Sequence, residues 1–238
     1  MALTLYLAMT AAELQNCCQI PEHIAWMACH FSPYSSGLSN VPVQLPAGSV
    51  LILNDRIPPQ GHDPELVARQ LQQAAEALAV GRVLLDFQRP GCPETAAIAK
   101  AAVAGCPCPV GVTVPYAQEL DCPVFWTPQL RRPLSEQLEN WPGREIWLEA
   151  ALDCEVITIT ETDSVVSAAQ LPKSPPDSRL DSRLHCRYFT EPGDDRVQFT
   201  VWRDLEALHT LLAAAETQGI TCAVGLYQQL AKKTAEDS

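Results

Sequence analysis

Short apolar runs recur along this chain, each closed by a polar cluster and most separated from the next by a helical pattern. Leu3 to Met9, Ile24 to Cys29, Ser49 to Leu53 and Val110 to Val114 read as strands. So do Val124 to Trp126, Glu145 to Ala150 and Thr221 to Leu226. Between Gly81 and Pro90 the run Arg82-Val83-Leu84-Leu85-Asp86-Phe87-Gln88-Arg89 turns abruptly from apolar to polar. In strand geometry Leu84, Asp86 and Gln88 share one face, because successive side chains alternate. The intervening helices differ in quality. Asp63 with Pro64 is an N-terminal signature, since the carboxylate accepts free amides and proline has none to leave unpaired. Behind it Val67, Leu71, Ala74 and Leu78 make an apolar stripe. Pro93 to Ala104 is alanine-rich, and Asp204 opens a strong amphipathic helix (Leu205, Leu208, Leu212, Ala215) ending at Gly219. Only weak helical patches stand near Ala11 to Cys18 and Leu134 to Trp141, a polar, aromatic loop, His30 to Gly37, follows the second strand, and the helices after the first, second and fifth strands read as poor.

Eight strands separated by helices or crossovers predict an irregular (β/α)8 TIM-type barrel, one domain over residues 1–238, in an α/β class. The alternation lapses once, before the last strand. Val156 to Thr160 alternates as a β ribbon, and His185 to Thr190 and Arg196 to Trp202 flank the turn Pro192-Gly193-Asp194-Asp195, a β-hairpin insertion. Between them residues 171–184 form a Pro/Ser-rich connection with a tandem Asp-Ser-Arg-Leu repeat, expected to be exposed and mobile. An open doubly wound sheet is the alternative, but no Gly-rich phosphate cradle follows any strand.

Charge narrows the partners. A formal net charge of -12 over 238 residues opposes nucleic acid and an anionic membrane surface, both of which attract basic faces. The apolar start, Met1 to Met9, has no preceding positive charge and meets Glu13 soon after, so neither a signal peptide nor a spanning helix is expected. The expected location is cytoplasmic. There the 10 cysteines serve mainly as small buried hydrophobes, since Cys17-Cys18 and Cys106-Pro107-Cys108 lack the paired spacing of a zinc site. No metal site and no cofactor are expected, and no nucleophile elbow is present.

In a barrel of this kind the chemistry sits at the C-terminal ends of the strands. Those ends supply His30, Tyr34, Asn54, Asp55, Asp86, Gln88, Arg89, Tyr116, Trp126, Glu149, Tyr227 and Gln228. Carboxylates, amides and aromatic rings together form the inventory of a carbohydrate cleft, where rings stack on sugar faces and polar groups bind hydroxyls.

Gly81 to Gln88 resembles the fourth-strand signature of family-18 glycoside hydrolases, the chitinases and their relatives, written D-x-x-D-x-D-x-E. With its last Asp on Asp86, Gly81 and Leu84 stand at the two earlier Asp positions and Gln88 at the catalytic Glu. The resemblance implies a substrate-positioning role for Asp86 and puts an amide where the family has its proton donor. A glutamine has no proton to give a leaving group near neutral pH. The implied protein is a degenerate, non-hydrolytic barrel that binds an oligosaccharide or another small polyhydroxylated ligand. Asp86, Gln88 and Tyr116 would be its polar anchors, Trp126 its stacking ring, and Arg89, Asn54, His30 and Tyr227 further ligand contacts.

Two other readings stand beside it. Asp86 and Glu149 are a candidate carboxylate pair for an active glycosidase, which needs them ~5–5.5 Å apart for retention or ~6.5–9.5 Å for inversion. A structural or assembly protein whose barrel has lost its pocket is the third.

Overall fold

The computed structural model describes residues 2–172 and 177–236, which divide into two compact units. In chain order the elements are β1 (Thr4–Met9), α1 (Ala11–Asn16), β2 (Ile24–Phe31), β3 (Leu38–Ser39), β4 (Val50–Asn54), α2 (Pro64–Ala77) and β5 (Arg82–Asp86). Then come α3 (Pro93–Gly105), β6 (Val110–Thr113), α4 (Val114–Ala117), β7 (Val124–Trp126), α5 (Leu134–Leu138) and β8 (Ile146–Glu149). The remainder are β9 (Cys154–Thr160), β10 (Ser164–Ala168), β11 (Arg179–Asp181), β12 (Cys186–Pro192), β13 (Arg196–Trp202), α6 (Leu205–Thr217), β14 (Cys222–Leu226) and α7 (Tyr227–Glu236).

The first unit, Thr4–Trp126 with Gly143–Glu149 and the chain from Cys222 onward, is a closed parallel barrel. Its strands follow the order β1-β14-β8-β7-β6-β5-β4-β2, and β1 pairs with β2 to complete the circle. This is the TIM-type barrel expected from the strand count. Its irregularity is also as expected: α1 has 6 residues, α4 has 4, and β2 is followed by β3, which folds back antiparallel on His30 and Phe31. Where caps were legible they form. The Asp63 carboxylate accepts from the Glu65 amide at 3.0 Å. The structure adds a reciprocal cap on α1, between the Thr10 hydroxyl and the Glu13 carboxylate.

Strand alternation divides the barrel residues. Tyr6, Ala8, Ala25, Val50, Ile52, Leu84, Phe125, Trp147, Cys222 and Val224 pack together as the lumen cluster. The opposite faces of these strands, with Leu51, Leu53, Leu85 and Leu148 fully buried, carry the rest of the core. Trp147 is the largest lumen side chain and is wholly buried. Its indole donates to the Glu145 carboxylate at 2.8 Å, and the Arg82 guanidinium lies 5.8 Å from its ring centre. Gly111 on β6 leaves the space this ring fills, for a Cβ there would sit 2.4 Å from Trp147 Cε3. The lumen is therefore a packed plug.

The second unit takes in Thr127–Pro142 and Ala150–Thr221. Its centre is a five-stranded antiparallel sheet in the order β10-β9-β13-β12-β11. The expected hairpin is β12 and β13, paired from Arg187 with Trp202 to Pro192 with Val197. The sheet around it is larger than the sequence pattern predicts, because β10 and β11 are short and lack a sustained apolar alternation. Within the connection expected to be mobile, Arg179–Asp181 is the edge strand β11, and the Asp181 carboxylate accepts from the amides of Arg183 and Leu184 at 2.8 and 3.0 Å. Residues 173–176 of that connection lie outside the described residues. Leu130, Cys186 and Val201 form this unit's small buried cluster, with Ile157, Leu184, Tyr188 and Phe199 packed against it. The Asp204 carboxylate caps α6 through the Ala207 amide at 2.9 Å, as its position predicts, and Arg187 ties β12 to the same carboxylate at 2.6 Å.

Candidate functional site

Register places three of the candidate residues side by side. His30 on β2 is opposite Asn54 on β4, and Asn54 is opposite Asp86 on β5. All three continue the row beyond lumen-facing residues, since Val50 and Ile52 precede Asn54 and Leu84 precedes Asp86. A bulge in β2 between Trp26 and Cys29 is what brings His30 into register. Asn54 holds that bulge, its amide donating to the carbonyls of Met27 and Cys29 at 3.0 and 2.9 Å. His30 is oriented by its own neighbours, Nδ1 2.7 Å from the Phe31 carbonyl and Nε2 3.0 Å from the Asn40 amide.

Gln88 leans over the end of this row and donates its side-chain amide to Asp86 Oδ1. Burial pushes the Asp86 carboxyl above the usual carboxylate range, the Gln88 hydrogen bond opposes that, and the nearby Asp55 charge adds to it. A raised folded-state pKa gives a contribution that is full below the unfolded value and lost as pH rises through the folded one. Above its folded-state pKa the ionised Asp86 therefore costs stability. Asp86→Asn is expected to melt higher than the parent at pH 7 and to lose that advantage toward pH 3. Melting curves at the two pH values check this, and an unchanged or lower melting temperature at pH 7 would contradict it.

The loop that carries Gln88 is held from below. Asp55, 3% exposed, accepts from the backbone amides of Gln88 and Arg89, one on each oxygen and both at 3.1 Å. Arg89 donates its side chain to the Arg56 carbonyl at 3.1 Å. Tyr116, buried on α4, donates to the Arg89 carbonyl and lies 2.7 Å from the Thr95 hydroxyl. Thr113 donates to the Phe87 carbonyl at 2.5 Å. Phe87 itself stacks outward in a chain of rings with Phe31 and Tyr116, and Phe31 meets His62. Tyr116 and Arg89 thus brace the loop through main-chain contacts. The residue that sequence reading placed on the rim without a role, Asp55, is its central clamp. Its one signal was a carboxylate directly after the polar end of an apolar strand.

The remaining candidates stand apart from this row. Glu149 ends β8, two residues beyond Trp147 on the same face. Phe125 is the lumen-facing ring of β7, so alternation puts Trp126 on the opposite face of the strand. Tyr227 opens α7, and its hydroxyl lies 3.5 Å from the Cys17 sulfur. The ten cysteines are all unpaired thiols, and burial pushes those of Cys29 and Cys222 up to about 12. No group of three metal-ligating side chains gathers among the described residues, and no helix among them is long and apolar enough to cross a membrane.

No protein-family model matches this chain, and no curated protein matches it in sequence. Solved structures do match its fold. A chitinase from Chromobacterium violaceum superposes with a TM-score of 0.55 at 9% identity, over 96% of this chain and 95% of that one. The spore cortex-lytic enzyme SleL of Bacillus cereus gives 0.51 at 10% identity, over 94% and 70%. SleL of Bacillus megaterium gives 0.50 at 8% identity, over 93% and 69%. At these identities the likeness is one of fold, and it places the chain among proteins built on TIM-type barrels.

Proposed function

We propose that this chain is a glycoside hydrolase-like barrel, resembling family 18, that binds a carbohydrate without cleaving it by the family's mechanism. The observation that carries this reading is the Gln88–Asp86 hydrogen bond at the C-terminal end of the fourth barrel strand. A carboxamide occupies the proton donor's position in the resemblance, and its amide is spent on the neighbouring carboxylate. The fold neighbours named as a chitinase and as spore cortex-lytic enzymes support a carbohydrate as the ligand class. His30, Asn54 and Asp86 form the polar row a sugar's hydroxyl or acetamido groups would meet. Gln88 retains its carbonyl oxygen as an acceptor.

Thermal-shift titration with N-acetylated and plain oligosaccharides, with product analysis of each hit, tests it. Saturation at ~100 times Kd adds ~2.7 kcal/mol, a rise of roughly 5–10 °C in a chain of this length. The expected result is a shift without products that disappears in Asp86→Ala. Gln88→Glu restores a proton donor two residues beyond Asp86 and is expected to release reducing ends from an N-acetylated ligand that the parent only binds. No shift with any sugar would remove the carbohydrate reading and leave the structural or assembly role.

An active glycosidase using Asp86 and Glu149 is the second reading. It is favoured by one observation: both carboxylates follow lumen-facing residues, Leu84 and Trp147, at the C-terminal ends of their strands. The raised pKa of Asp86 is also in the direction a general acid needs. Hydrolysis by the parent that Glu149→Gln abolishes would select this reading over binding alone.

A further inference from the structure

The antiparallel sheet of the second unit ends in two very different edges. β11 is 3 residues long and carries Arg179 and Asp181, the usual protection of an open edge. β10, Ser164-Val165-Val166-Ser167-Ala168, has no charge, no proline and no described strand beyond it, and all five residues are exposed. Its hydrogen-bonding parity can be read from the two ends of its ladder. Thr160 donates to the Asp163 carbonyl and Ala169 to the Cys154 carbonyl, both at 2.9 Å, so these opposed pairs are of the hydrogen-bonded kind. Alternation then turns the amides and carbonyls of Val165 and Ser167 toward β9, and those of Ser164, Val166 and Ala168 outward, where the Ser164 amide is covered within one copy by Asp163 Oδ1 at 2.7 Å.

We propose that this edge pairs with a second copy of the same chain, β10 against β10 and antiparallel about a two-fold axis at Val166. This register satisfies every outward group. Val166 exchanges both bonds with Val166 of the second copy, and Ser164 and Ala168 exchange theirs with the copy's Ala168 and Ser164. Any register shifted along the strand leaves outward groups unpaired. The side chains agree with it. Val166, Ile157 and Phe199 form one cross-strand row, and Ile159 and Val197 lie beside them on the same face. Of these, Val166, Ile159 and Val197 are 39%, 42% and 37% exposed. Pairing at Val166 runs that row unbroken from one Phe199 to the other. The charges also agree, because Asp163, just outside the strand, falls opposite Ala169 of the second copy and meets no like charge. A symmetric patch that is its own complement is what a two-fold dimer requires.

Sedimentation equilibrium of the full chain over a concentration series tests this. The parent is expected to dimerise, more tightly as salt screens the net charge of -12 on each copy. Val166→Lys and Val166→Glu each place like charges together at the axis, and each is expected to raise the dimer dissociation constant on the order of 100-fold. An equimolar mixture of the two variants, which sets Lys against Glu, is expected to form a heterodimer, a result that neither misfolding nor a different interface would produce. Hydrogen exchange gives a second readout: the amides of Val166 and Ala168 gain protection in the dimer while those of Val165 and Ser167 are protected at every concentration. A parent that stays monomeric throughout, a dimer indifferent to both variants, or a mixture that fails to associate would each overturn the proposal.

Discussion

Gly111→Ala is expected to lower the melting temperature by roughly 6 °C or more, the largest effect of any single methyl group in this barrel. The new Cβ would lie 2.4 Å from Cε3 and 2.5 Å from Cζ3 of Trp147. That ring has little room to yield, being wholly buried, hydrogen-bonded through its indole to Glu145 and faced by Arg82. Overpacking a tight core typically costs ~1–3 kcal/mol. A fixed indole puts this site at the upper end, and in a chain of this length each kcal/mol moves the midpoint by about 2–4 °C. Circular-dichroism melts check the value. Trp147→Leu removes the clashing ring, so Gly111→Ala made in that background is expected to cost less than about 1 kcal/mol, the coupling that contacting residues show. Equal costs in the two backgrounds would mean that the lumen is not filled as described.

If the chain binds a carbohydrate as proposed, Asp55→Ala is expected to be the most damaging substitution for that binding among residues that need not touch the ligand. Its two carboxylate oxygens each hold one amide of the loop that carries Gln88. Losing a charged acceptor for two main-chain donors costs about 2–4 kcal/mol. The loop's anchors at Arg56 and Tyr116 remain, so the barrel should fold while Gln88 drifts from Asp86. Two readouts separate this from a general loss of stability. Asp55→Asn keeps one acceptor oxygen and should recover part of the melting temperature. In folded Asp55→Ala, oligosaccharide affinity should still fall as far as in Gln88→Ala. Undiminished affinity in Asp55→Ala would show that the loop is held in place without it.

The barrel's eight strands, their order and the weakness of the helices after the first, second and fifth strands were all legible in the sequence. So were the caps at Asp63 and Asp204 and the hairpin around Pro192-Gly193. These are local properties: each rests on hydrophobic periodicity, a capping side chain or turn chemistry within a few residues. The face of Asp86 was equally readable, because a strand's alternation needs no knowledge of its neighbours. Other features depend on pairings between distant segments, and only the tertiary structure decided them. The bulge in β2 brings His30 level with Asn54 and Asp86, and it is defined by the register with β4. Asp55 becomes a clamp because the loop after β5 delivers two amides to it, 33 and 34 residues along the chain. Trp126 and Phe125 look interchangeable in sequence until the lumen takes Phe125 and turns the indole away. Gly111 makes room for a ring 36 positions later only because β6 and β8 face one lumen, as the Cβ clash with Trp147 records. The edge strand β10 is silent as a pattern, and its open hydrogen bonds exist only once β9 has taken the other side. Periodicity determined which elements form and which way they face. Which residues meet, and hence the site, was set by register across the closed barrel.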